Sequence, residues 1–226
     1  MENRPGTNST IGADNVARSP ADGTSILVIT STHAVTPAFK KHTSYDPITF
    51  FAPITAVATV PNVVLVRRGL GIRTLQDLVT AAKISPGKLS CASTGTGSAT
   101  SLIVKVFEQT VGVRMTEIAY QGAGLALTAV LSGEVDAYFG SVSGSRAYVD
   151  DGKMVALAVP QGTRAMLMPS VPTTAEAALP AFQFSTWYGL VASAKTAQPV
   201  IDRLNSEVQD IMRDKTTSDR LAQIGT

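Results

Sequence analysis

The run Cys91–Ser101, CASTGTGSATS, gathers small hydroxyl residues and two glycines without a single charge. It lies between a strand-like KLSC and a helix-like LIVKVFEQTVG, so its hydroxyls and amides surround the start of a helix. A helix start carries unpaired N–H groups and a partial positive charge. Other helices of the chain are expected to supply their own acid early, through Asp77, Glu176 and Asp202. The helix after CASTGTGSATS does not, nor does the one after Tyr120–Gly124 (YQGAG), nor the one after Phe139–Ser145 (FGSVSGS). Glycines at 95, 97, 122, 124, 140 and 144 let the backbone approach a ligand closely, and Ser98, Thr100, Ser141 and Ser143 add hydroxyl donors. The chemistry that suits this pattern is capture of an anion. A carboxylate would gain about 0.3–1 kcal/mol from each exposed helix dipole and roughly 1.5–3 kcal/mol from each charge-assisted hydrogen bond. Two or three such contacts approach the ~8 kcal/mol of micromolar affinity. Turn chemistry alone also enriches such loops in Gly, Ser and Thr, so the pattern allows both readings.

Other chemistries find less material. There are two histidines, no G-x-S-x-G elbow and no G-x-x-x-x-G-K-[ST] loop, and Gly95-Thr96-Gly97 falls short of G-x-G-x-x-G. Cys91 is the sole cysteine, which excludes an internal disulfide or a thiol-built zinc site, and its place on an apolar strand reads as a core thiol. Asp150-Asp151 before Gly152 reads as a solvated helix end rather than a metal site. His33 could touch a ligand or serve as a satisfied structural donor, and His42 in KKHTS is expected to face solvent. Trp187 and Tyr188 suit either a binding wall or hinge packing.

Three parallel strands would bring those loops to one edge, and the apolar pattern supplies them. SILVI (25–29) and VVLVR (63–67) read as strands. TLQDLVTAAK follows as a helix with Thr74 and Asp77 spaced as a capping box. The alternation continues as KLSCAS strand, SLIVKVFEQTV helix, TEIAY strand, LALTAVLSG helix, VDAYF strand, SRAYVDDG helix and VALAV strand. Such regularity predicts an α/β fold with parallel strands and right-handed crossovers, whose ligands sit at the carboxyl ends of the strands. After Pro160 the rhythm changes: RAMLMPSVP reads as a loop, TTAE (173–176) as the capped start of a short helix, FQFSTWYGLVAS as an extended run, and QPVIDRLNSEVQDIMRD as an amphipathic helix.

The 226 residues suffice for one large or two small domains, and 44% apolar with 16% charged residues argues against disorder. A net charge of +2 with scattered Lys and Arg offers no stripe for nucleic acid. The apolar runs are strand-sized, so no direct membrane insertion is expected. The start MENRPGTNSTIGADNVARSPADG lacks the basic-then-apolar pattern of an export signal. The expected organisation is residues 1–65 as part of a first lobe and crossover, 66–185 as a second lobe of βαβ units, and 186–226 as a return crossover with helices on the first lobe.

ENRPG (2–6), STHAVTP (31–37), YDPITFFAPIT (45–55), VPNVVLV (60–66), PGKLSCASTGTGS (86–98), AYQGAG (119–124), SVPTTAEAALPAF (170–182) and STWYGLVA (185–192) occur in order. Together they resemble the extracytoplasmic solute receptors of tripartite tricarboxylate transporters, the Bug or TctC family, over essentially the whole chain. The resemblance implies a two-lobed, periplasmic-binding-protein-like α/β fold with mainly parallel sheets. It also implies a non-enzymatic function without cofactor: capture of a small carboxylate, whether dicarboxylate, tricarboxylate or aromatic acid, for delivery to membrane permease subunits. The localisation it implies is periplasmic. On this resemblance Thr96, Gly97 and Ser98 hold a ligand carboxylate, Ser31, Thr32 and His33 line the first-lobe wall, and Tyr120, Gly140 and Ser141 line the second-lobe side. Family members precede ENRPG with a signal peptide, a strand, a Gly-rich loop and a helix, and continue beyond RLAQIGT. The first lobe is therefore expected to be incomplete in this chain. Gly140 stands where many members carry Asp, and Ser101 where many carry His; losing the acid at 140 lessens any preference for an amino-bearing ligand. The alternative reading is an α/β enzyme or effector-sensing domain that uses the same Gly/Ser loops on a phosphorylated or acyl ligand.

Overall fold

The structure is a computed structural model that describes residues 2, 10–39, 45–223 and 225. The exposure expected of His42 and all of ENRPG beyond Glu2 lie outside the described residues. In chain order the elements are α1 (Thr10–Ala17), β1 (Ile26–Thr30), α2 (Ser31–Phe39), β2 (Phe51–Arg67), α3 (Leu75–Ile84), β3 (Ser90–Ser93), α4 (Ala99–Val111), β4 (Thr116–Ala119), α5 (Ala123–Ser132), β5 (Ala137–Ser141), α6 (Val142–Asp150), β6 (Met154–Ala158), β7 (Ser185–Ser193), α7 (Gln198–Arg213) and α8 (Lys215–Gln223). No helix among the described residues is long and apolar enough to cross a membrane.

The chain forms two compact units, one holding Met1–Thr59 and Trp187–Ile224, the other Val60–Thr186. The boundary expected after residue 65 falls inside β2, a single strand of 17 residues. In the first unit β1 pairs antiparallel with β7, from Ile26 opposite Ala192 to Thr30 opposite Tyr188. Ala13, Val16, Tyr45, Phe51 and Val191 bury one apolar cluster, and Ile54, Ala192 and Ile201 another. Asn205 on α7 donates to the Ile54 carbonyl at 2.6 Å, and Gln209 to the Thr55 hydroxyl at 2.9 Å, tying that helix to β2.

The second unit is built on a sheet ordered β6-β2-β5-β3-β4. β3 runs parallel to both β4 and β5, whereas β2 runs antiparallel to β5 and β6. VVLVR therefore departs from the parallel series expected of it: no crossover helix precedes it, because it is the far half of a strand that begins in the first unit. Phe107, Phe139 and Phe182 are fully buried on one face, with centroids 5.3–6.3 Å apart. Tyr138, Val63, Ala92 and Val130 belong to the cluster on the other face. The capping box at Thr74 forms as its spacing predicts, with Asp77 N donating to the Thr74 hydroxyl at 3.1 Å and Thr74 N to the Asp77 carboxylate at 2.9 Å.

Two local expectations are corrected. TTAE makes its reciprocal cap, Thr173 N to Glu176 at 2.8 Å and Glu176 N to the Thr173 hydroxyl at 3.1 Å, but only turns follow. Ala178 turns to φ 60°, and Pro180 disfavours a helical Leu179, so the helix cannot propagate. α7 has no acid in its first turn, because the helix opens at Gln198-Pro199 and Asp202 lies beyond it, accepting from Gln198 at 2.8 Å. Helices α1, α2 and α8 were not anticipated from the pattern.

Asp136, at the foot of β5, fastens three strands together. Its carboxylate accepts from Arg67 Nε at 2.9 Å on β2 and from the Ser90 amide and hydroxyl, each at 3.0 Å, on β3. Burial alone would raise its pKa, but the hydrogen bonds from the Ser90 backbone, Arg67 and the Ser90 hydroxyl outweigh it and hold the carboxyl below the usual value of 3.8. The stabilisation is present in full above that ordinary value and is lost as pH falls through the lower folded value. Asp136→Asn is expected to cost about 2 kcal/mol at pH 7 in urea unfolding, and to lessen the wild type's loss of stability as pH falls below the ordinary carboxylate value.

Candidate functional site

Parallel pairing of β3 with β4 and β5 puts the carboxyl ends of all three on one edge of the second unit: Ser93 stands opposite Ala119, and Ala92 opposite Tyr138. Three helices begin there, and none has an acid in its first turn. They differ in how they are capped. Ser98 caps α4, accepting from Ser101 N at 3.1 Å, and Ser141 caps α6, accepting from Gly144 N at 3.3 Å. α5 opens at Gly122, with φ 115° and no side-chain cap. A hydroxyl cap satisfies one donor yet brings no charge, so the positive end of each dipole is not neutralised from within.

The loop before α4 is held by a chain of hydroxyls. Thr100 Oγ1 lies 2.9 Å from Thr94 Oγ1 and 3.0 Å from Ser98 Oγ, and accepts from Thr94 N at 2.8 Å. Gly95 N donates to Ser93 Oγ at 3.1 Å, and Ser98 N to the Gly95 carbonyl at 3.0 Å. The turn needs φ of 103° at Gly95 and 82° at Gly97, the left-handed region that only glycine enters freely. Thr96 is exposed at its tip, while Gly97 and Ser98 are buried. Ser143, Gly144, Gln121, Ala123 and Gly124 are exposed in the other two loops.

Of the residues singled out from sequence, Thr96, Gly97, Ser98, Gly140 and Ser141 come together at this edge with the Tyr120 backbone. The Tyr120 ring packs on the cluster beneath, and its hydroxyl donates to Glu134 at 2.8 Å in the turn leading to β5. Burial and that carboxylate push its pKa up to about 12. Cys91 is fully buried, and burial, reinforced by Glu117 and Glu108, raises its thiol pKa well above normal, which leaves it unreactive. Asp150 and Asp151 pair with Arg146 at 3.2 Å and Lys153 at 2.8 Å. Sequence reasoning missed Asn62, a buried amide whose oxygen accepts from Thr186 N and Oγ1, each at 3.1 Å. The signal was present: a lone amide heading the apolar strand VVLV at the same edge, opposite Ser141.

Ser31, Thr32 and His33 belong to the first unit, at the start of α2. Thr32 N donates to Thr30 Oγ1 at 3.2 Å. The Ser31 hydroxyl and His33 Nε2 are buried and meet no partner among the described residues. His33 stacks on Tyr45 at 5.4 Å and meets Phe51 edge-on at 5.0 Å. Burial lowers its pKa below 6.5, opposed by a hydrogen bond to the Pro47 backbone, so the ring is neutral at pH 7. An unfolded chain binds a proton there that the folded chain refuses, so stability falls as pH drops below the ordinary value. His33→Phe, which keeps the stacking, is expected to flatten the urea-unfolding midpoint between pH 7.5 and 5.5 relative to the wild type.

The sequence model described as the tripartite tricarboxylate transporter family receptor, TctC, matches residues 1–226. A protein of Pseudomonas sp. (strain P51), the UPF0065 protein in the tcbD-tcbE intergenic region, is 33% identical over 226 residues, covering 100% of this chain and 67% of that protein. Among solved structures, R. palustris Rpa4515 with adipate superposes with a TM-score of 0.90 at 28% identity, covering 99% of this chain and 75% of its own. MatC (Rpa3494) from Rhodopseudomonas palustris with bound malate gives 0.85 at 28% identity, covering 97% of this chain and 75% of its own. An uncharged, glycine-hinged helix edge on an open α/β sheet thus meets a sequence match that spans every residue: this chain belongs to the TctC family, the receptors of tripartite tricarboxylate transporters.

Proposed function

We propose that this protein captures a small organic acid and presents it, unaltered, to the membrane subunits of a tripartite tricarboxylate transporter, working outside the cytoplasmic membrane. The observation that carries this reading is the set of three acid-free helix starts on one edge of the second unit. Each can donate backbone N–H groups to a carboxylate oxygen, in a field that favours negative charge. The Thr94–Thr100–Ser98 hydroxyl chain fixes the geometry of the α4 loop before any ligand arrives, which limits the ordering cost of binding. Thr96, Gly97 and Ser98 form the carboxylate seat, with Gly140 and Ser141 beside it. Within the first unit, Ser31, Thr32 and His33 are a separate candidate contact, Ser31 and His33 each offering a buried polar atom with no partner among the described residues. The acids held by the two R. palustris proteins, adipate and malate, are of the chemistry this edge suits.

The family is one of receptors and not of enzymes, which sets aside the enzyme alternative. The test is titration calorimetry with adipate, malate and citrate, followed by recovery of the acid. Binding with the acid returned intact is expected; turnover, or no heat with any acid, overturns the proposal. Ala123→Asp places an acid in the exposed first turn of α5. It is expected to weaken acid binding about tenfold or more by like-charge repulsion while leaving the melting temperature unchanged or higher, since the new charge complements the helix dipole.

A further inference from the structure

Gly140 has an ordinary backbone conformation, so its lack of a side chain needs another cause. A Cβ at this position would overlap Cε1 of Tyr138 and lie 2.6 Å from its Cζ. The Tyr138 ring therefore lies along β5 over the Gly140 backbone, leaning towards the carboxyl end of the strand. The ring thus reaches towards the end of β5, after which α6 begins. Tyr138 is 2% exposed. Its hydroxyl makes no hydrogen bond to any described residue. A phenol buried to this extent ordinarily finds a partner. Burial, with Cys91 nearby, pushes its pKa up to about 12, so it remains a proton donor throughout the physiological range.

The charges around it narrow what that donor meets. The loops 94–98, 120–124 and 139–145 contain no Asp or Glu. The acids of the second unit are all engaged elsewhere: Asp77 in its cap, Glu108 and Glu117 on Lys105, Glu134 on Tyr120, Asp136 on Arg67, and Asp150, Asp151 and Glu176 on their own cations. An ammonium group brought to this edge would lose water and find no counter-charge in this unit.

We infer that Tyr138 sets which acid the second unit accepts: its phenol donates to an oxygen of the bound acid, so the ligand carries a second carboxylate, hydroxyl or carbonyl and no amino group. This rests on the receptor reading above and adds to it the class of ligand and the residue that selects it. Gly140 is the other half of the device, since any side chain there would displace the ring.

Tyr138→Phe removes the hydroxyl and keeps the ring. Affinities of wild type and variant are measured by calorimetry for succinate, glutarate and adipate, each beside its 2-amino counterpart, with melting temperatures in parallel. The wild type is expected to bind at least one plain acid tenfold or more tighter than its amino partner. The variant is expected to lose roughly 10- to 150-fold on that acid, the size of a charge-assisted hydrogen bond, with an unaltered melting temperature. Equal affinity in wild type and variant, or a preference for the amino acid, overturns the inference and leaves the receptor reading standing. If the wild type binds none of the plain or amino acids, nor malate or citrate, both fall together. Gly140→Ala serves as the second variant: a loss matching that of Tyr138→Phe supports the inference, and wild-type affinity for the plain acid overturns it.

Discussion

A single carboxylate holds the second unit's strands in step. Asp136 reaches back to Arg67 on β2 and sideways to Ser90 on β3 from the start of β5, so three strands share one anchor at their common foot. Because side chains alternate along a strand, a slip of one residue would exchange the two faces of the sheet. The anchor forbids that slip, and the positions of all that lies at the opposite edge follow from it. Ser93, Ala119 and Ser141 end their strands where they do because the register below is fixed.

At that opposite edge the design works by leaving charge out. α4 and α6 spend a hydroxyl on their first turns and α5 spends nothing, whereas α3 uses the carboxylate of Asp77. A carboxylate cap would give the helix more stability in isolation, so three neighbouring starts without one keep their positive ends unneutralised. Left-handed glycines at 95 and 97 let the chain turn tightly enough for the α4 loop to close on itself through Thr94, Ser98 and Thr100. The loop is thus rigid before a ligand is present, and its neutrality is structural.

Much of this could be read from the residues alone. Apolar periodicity located β3 to β6 and α3 to α6, since each has a strong period and glycine or a capping residue at its ends. The capping box at Thr74 is local chemistry and formed as written. What escaped notice was decided by distance along the chain or by packing. α2 carries Pro37 and two threonines with no clear apolar stripe, so it owes its helicity to tertiary contacts. β2 was read in part because Pro53 and Pro61 interrupt its pattern, although proline can stand in a strand where its missing donor is not needed. TTAE made its cap, and only Ala178 and Pro180 downstream decided that no helix would follow. At the site, the acid-free loops were legible as composition. The packing of the Tyr138 ring against Gly140 was not, because a tyrosine inside AYFG reads simply as core.

The pleat of β5 divides labour between consecutive residues. Ala137 and Phe139 face one cluster, where Phe139 packs against Phe107 and Phe182, while Tyr138 faces the other, with Gly140 against its ring. Consecutive residues of one short strand thus serve the two faces of the sheet. A change at residue 138 or 140 would be felt on its own face of the sheet and leave the three packed phenylalanines on the other untouched.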